Sequence, residues 1–133
     1  MANNIHTTGN TCFRFRGIVG TGGVTKGTLV KISSNTIVAA SDGCEVAGVA
    51  LSTYASGDIG VFAYGPIVIR IAAASGVNFA HLAECYVATA STVDAGAQGN
   101  KTCGRVVYDD PATAGTVYML LHTPALTDTV THA

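Results

Sequence analysis

The chain has 133 residues, about one domain's worth, of which 48% are hydrophobic and only 11% charged, with a formal net charge of −1. Globular domains carry about 25% charged residues, so there is too little charge here for a phosphate-binding stripe or a solvated disordered tail. The apolar content rests on alanine and valine, with aromatics at 7% and no tryptophan, which gives a thin core and a threonine-rich surface that another protein could cover.

The first residues, Met1-Ala2-Asn3-Asn4-Ile5-His6, have neither a basic n-region nor an apolar h-region. The expectation is a protein made on the cytosolic side, which stays there or leaves with an assembly. Further on, Phe13-Arg14-Phe15-Arg16 alternates aromatic and basic residues; as a strand it puts both phenylalanines on one face and both arginines on the other. Aromatic residues and arginine are enriched at protein contacts, and an extended Asn- and Thr-rich arm can add a strand to a neighbour's sheet edge. Candidate contact residues are therefore Asn3, Asn4, Ile5, His6, Phe13, Arg14, Phe15 and Arg16. An edge strand of the chain's own barrel with solvated arginines fits the same residues equally well.

From there the pattern is short β-branched runs between turn signals. Phe13 to Val19, Thr28 to Ile32, Thr36 to Ala40, Glu45 to Leu51, Ile59 to Tyr64, Ile67 to Ala72, Cys85 to Ala90, Cys103 to Tyr108 and Thr116 to Leu121 read as strands. Stretches such as Gly20-Thr21-Gly22-Gly23, Ser33-Ser34-Asn35, Ser41-Asp42-Gly43 and Asp109-Asp110-Pro111 supply turn chemistry between them. In the run Ile67 to Ile71 the three isoleucines share a face that should be core, while Arg70 faces solvent or an interface. A helical turn is expected only at Asn78 to Glu84, where Phe79, Leu82 and Ala83 fall at i, i+3 and i+4. The longest weakly polar run, Val61 to Ala74, is broken by Gly65-Pro66 and Arg70 and falls short of the roughly 18 residues of a membrane span.

The chain also repeats itself. Thr36, Ala39, Gly43 and Gly48 match Thr92, Ala95, Gly99 and Gly104 at one constant offset, and the apolar runs and turns stay in step around them. Two copies of a four-strand unit, about 27–65 and 83–122, follow. The expected fold is all-β, a small β-barrel or β-sandwich built from the two units, with an N-terminal arm (1–17), one β domain (18–121) and a C-terminal tail (122–133). Gly48 and Gly104, alone inside strands, should mark bulges or sharp coiling.

Catalytic chemistry finds few candidates. His6, His81, His122 and His132 are scattered, and the aspartates fall in turns where they bond nearby backbone. His81, Glu84 and Cys85 would share a face only in a helix, and Asp109-Asp110 lacks the regular spacing of a calcium loop. The glycine-rich run at 20–23 lacks the lysine and hydroxyl ending of a phosphate loop. Cys12, Cys44, Cys85 and Cys103 form no C-x-x-C pair and read as small hydrophobes in a reducing compartment. No catalytic residue, metal or cofactor is expected, and no small-molecule substrate, nucleic acid or membrane partner.

Gly27-Thr28-Leu29-Val30-Lys31-Ile32, Glu45-Val46-Ala47-Gly48-Val49-Ala50, Ser56-Gly57-Asp58-Ile59-Gly60-Val61, Gly65-Pro66-Ile67-Val68-Ile69 and Gly99-Asn100-Lys101-Thr102-Cys103-Gly104-Arg105-Val106-Val107 follow one another in an order that resembles the small capsid decoration proteins (head-stabilising, or cement, proteins) of tailed bacteriophages. The resemblance spans about residues 20 to 121, a pattern of glycines and valines without a chemical signature. It implies a small β-barrel on the outer surface of the virion head, a homotrimer that bridges major capsid protein subunits against the pressure of packaged DNA. The ends depart from the pattern, so the capsid contact could lie in the arm, the loops or the tail. Alternatives are another β-rich virion part, such as a tail tube or head-tail connector subunit, and a small ligand-binding β-barrel. The latter would want clustered aromatics, whereas the tyrosines are spread through the strands.

Overall fold

The computed structural model describes residues 4–5, 13–74, 79–95, 101–109 and 115–121. Among them are eleven strands and no helix. In chain order these are β1 (Asn4–Ile5), β2 (Phe13–Ile18), β3 (Leu29–Ser33), β4 (Thr36–Ala39), β5 (Gly48–Ala50), β6 (Ile59–Tyr64), β7 (Val68–Ala73), β8 (Glu84–Thr89), β9 (Thr92–Asp94), β10 (Thr102–Asp109) and β11 (Thr116–Leu121). Local chemistry sets the turns: between β3 and β4, Ser34 and Asn35 take φ of 48° and 63°, the doubly left-handed pair of a two-residue hairpin. The Thr36 hydroxyl ties that turn by donating to the Ser33 carbonyl at 2.7 Å.

The first sheet runs β2-β6-β5-β3-β4 and the second β7-β11-β10-β8-β9, with β1 added on β7. Adding five to each strand number of the first order gives the second. The second sheet closes into a small barrel because β7 also pairs, in parallel, with β9 through Ala72↔Thr92 and Ala73↔Val93. In the first sheet the same closure is one parallel bridge, Val19↔Ile37. The repeat in the sequence covers four strands per half, and each half recruits a fifth, β2 or β7, at the same edge. The isoleucine strand that joins the copies in sequence is thus a full member of the second sheet.

A buried cluster inside the first sheet holds Val19, Val30, Ile37, Ala50 and Phe62. A larger one runs from Leu29, Val46, Val49 and Ala63 of the first half into Ile69, Val87, Val106 and Met119 of the second. Burying each of the larger side chains among them contributes about 1.5–3 kcal/mol, so the shared cluster binds the halves together. Backbone bonds cross the same seam: the Leu29 N–H donates to Ala90 O at 2.7 Å and the Gly43 N–H to Val87 O at 2.9 Å.

The helical turn expected at 78–84 is not formed. Asn78 lies outside the described residues, residues 81–82 make a turn in which Leu82 has φ 63°, and Glu84 already begins β8. Apolar residues at i, i+3 and i+4 occur there without the length that would let a helix propagate.

Candidate functional site

Strand β2 pairs residue for residue with β6, from Phe13↔Tyr64 to Ile18↔Ile59. Alternation then sorts its side chains as the sequence indicates. Phe13 and Phe15 lie on the face of Phe62 and Tyr64, with ring centroids 5.7 Å apart for Phe13–Tyr64 and 5.3 Å for Phe15–Phe62. Tyr54, from the loop before β6, completes the strip at 5.8 Å from Phe62, and its hydroxyl accepts from the Val61 N–H at 3.0 Å. Arg14, Arg16 and Ile18 are exposed on the opposite face, Ile18 beside the 69%-exposed Ile59. Phe13 is itself 57% exposed. One edge of the first sheet therefore presents exposed arginine, phenylalanine and isoleucine together, a combination common at protein contacts.

The other candidates are placed differently. Asn4 and Ile5 form β1 and pair antiparallel with β7, Asn4 across from Arg70 and Ile5 across from Ile69. The arm segment thus adds a strand to its own chain. Arg70 is 7% exposed, between β1 and Tyr118 of β11, while Ile67, Ile69 and Ile71 are fully buried as expected. Asn3 and His6 lie outside the described residues.

Strand pairing carries a register from one half to the other. A Cβ on Gly48 would meet the carbonyl oxygen of Ala63, and one on Gly104 that of Leu120. Ala63 therefore corresponds to Leu120, Phe62 to Met119 and Val61 to Tyr118. Their partners follow: Phe15 corresponds to Ile69, and Arg16 to Arg70.

Four of the five tyrosines that look evenly spread in sequence pair up in space. Tyr54 and Tyr64 join the phenylalanine strip, and the rings of Tyr108 and Tyr118 lie 4.6 Å apart, tilted by 30°. Phe62 and Tyr64 are two residues apart, as are Phe13 and Phe15, and that shared spacing is the signal the sequence carries; nothing local points to Tyr54.

Chemical candidates are tied up in structure. Glu84 and Cys85 are neighbours in a strand and face opposite ways, Cys85 buried and Glu84 bonded to Arg105 at 3.1 Å and to the Tyr86 hydroxyl at 3.1 Å. Donating its proton to the Glu84 carboxylate raises the Tyr86 pKa. Asp58 accepts from the Ala55 N–H at 2.9 Å, the turn role expected of it. A depression of about 290 Å³ is lined by Pro66, Glu84, Thr102, Arg105 and Leu120, where the Thr102 hydroxyl bonds backbone carbonyls of Cys85 and Gly104. Cys85 and Cys103 are buried free thiols with sulfurs 4.0 Å apart, packed against Met119. Cys12 and Asp110 lie outside the described residues.

Comparison with protein-family models, with curated proteins and with solved structures gives no match. The β2 edge and the docked β1 strand are the features on which a functional reading rests.

Proposed function

We propose that this chain is a structural, non-enzymatic virion protein that binds the outside of a tailed-phage head and stabilises it by bridging major capsid subunits. The virion setting comes from the resemblance of residues 20–121 to capsid decoration proteins. The observation that carries the binding role is the exposed edge of β2, where Phe13, Arg14, Arg16 and Ile18 stand together in a chain otherwise poor in charge and large apolar groups. Small contacts of this kind suffice on a shell, because hundreds of identical sites and several contacts per oligomer multiply weak affinities. Assembly as a homotrimer is part of the same reading.

Expanded phage heads lacking the protein, with purified chain supplied or withheld, provide the test. The expected result is saturable binding and increased resistance of the heads to heat and chelator. Heads that neither bind the chain nor gain resistance would overturn the proposal. The ring strip of Phe13, Phe15, Tyr54 and Tyr64 is the one observation favouring a ligand-binding barrel instead, but these rings pack on one another and only Phe13 is mainly exposed.

A further inference from the structure

The two halves treat equivalent edges unequally. On β7 the edge away from β11 is shared: β9 takes Ala72 and Ala73, and β1 takes Ile69 and Arg70. On β2 the edge away from β6 meets β4 at the Val19↔Ile37 bridge, and Phe13 to Arg16 have no strand beside them among the described residues. Since Phe15 corresponds to Ile69 and Arg16 to Arg70, the unpaired stretch is the counterpart of the β1 docking site. Unpaired N–H and C=O groups along such an edge template strand addition.

The occupant is constrained by counting and by charge. Each chain supplies one β1 and presents two equivalent edges, so exchange of arms between copies always leaves one edge per chain unfilled. Pairing two β2 edges with each other fares no better, because Arg14 and Arg16 of both strands would crowd one face, and like charges across a strand pair repel. On β7 the docked strand sets polar Asn4 across from Arg70 and apolar Ile5 across from Ile69. The same rule on β2 calls for polar residues, best acidic, across from Arg16 and Arg14, and apolar residues across from Phe15 and Phe13.

We infer that the β2 edge binds an extended segment of another protein that alternates acidic and apolar residues, adding it antiparallel as a sixth strand of the first sheet. Read from its N-terminus, the segment runs acidic, apolar, acidic, apolar across Arg16, Phe15, Arg14 and Phe13. Backbone bonds hold it, the two arginines choose its charge, and the phenylalanine strip extends onto its apolar side chains. The inference stands whether or not the partner belongs to a phage head.

A capped synthetic peptide with the core Asp-Ile-Glu-Val, titrated into the full ¹⁵N-labelled chain, tests it. Amide shifts should concentrate at residues 13–17. A Lys-Ile-Lys-Val peptide should bind at least about tenfold more weakly, and added salt should weaken the acidic peptide. The double variant Arg14→Glu/Arg16→Glu should reverse the preference between the two peptides, which separates recognition from any loss of fold. Equal affinities for both peptides, shifts away from β2, or an unreversed preference would overturn the inference. So would tight acidic-peptide binding seen only after removal of residues 122–133, which would make the chain's own tail the occupant.

Discussion

Gly48 and Gly104 stand at matching points of β5 and β10, each with a neighbouring strand's carbonyl oxygen, that of Ala63 or of Leu120, where a side chain would begin. Neither oxygen can yield without moving a strand. Gly48→Ala and Gly104→Ala should therefore each destabilise the fold by about 1–3 kcal/mol, the usual cost of overpacking. Urea denaturation measures both, and a cost below about 0.5 kcal/mol at either position would contradict the equivalence of the two sheets.

Phe62 and Phe13 share one aromatic strip but not one environment. Phe62 is fully buried against Phe15 and Tyr54, whereas Phe13 is 57% exposed. Phe62→Ala should cost about 3–5 kcal/mol and Phe13→Ala less than about 1 kcal/mol. Similar losses in thermal or urea unfolding would mean that the edge ring holds β2 to β6 as firmly as the core ring does.

Much of this fold was legible because strand signals are local. The nine β-branched runs correspond to strands, and the turn residues sit between them. Strands β1 and β9 form no β-branched run of their own, because two or three residues carry no alternation: β9 is implied only by the repeat that matches Thr92 to Thr36, and Asn4–Ile5 and Thr92–Asp94 are held as strands by their partners on β7 and β8. The repeat visible in the sequence spans four strands per half, since β2 and β7 share almost no residues and are related only by their neighbours. For Arg70 the alternation correctly set it opposite the isoleucines, but whether solvent, β1 or another molecule covers that face is decided by distant parts of the chain. At the β2 edge the split of phenylalanines from arginines was readable; the absence of a described strand beside them was not.

The Cys103 thiol titrates far from its usual range. Its contact with Cys85, and then its burial, push its pKa up, while in the unfolded chain a cysteine ionises near about 8.5. The folded state holds this proton more tightly. Its stabilising contribution is thus complete below about pH 8.5 and declines above it, by about 1.4 kcal/mol per pH unit. Between pH 8.5 and 10, wild type should lose stability more steeply than Cys103→Val by about that slope. Parallel losses in urea unfolding would show that another group governs the alkaline limb.

Leu82 holds φ 63° with its side chain 62% exposed, in the turn that feeds β8. Its backbone is anchored on both sides: the N–H donates to Val106 O at 2.6 Å and the carbonyl accepts from Arg105 Nη1 at 2.9 Å. A left-handed conformation costs an L-residue about 1–2 kcal/mol, and glycine escapes the cost. So little of the leucine is buried that its removal forfeits less than the strain it relieves. Leu82→Gly should therefore raise stability by up to about 1 kcal/mol, while Leu82→Ala, which keeps the Cβ and the strain, should leave it unchanged or slightly lower. If both variants lose stability equally in urea unfolding, the leucine side chain and not the backbone strain decides the energy of this turn.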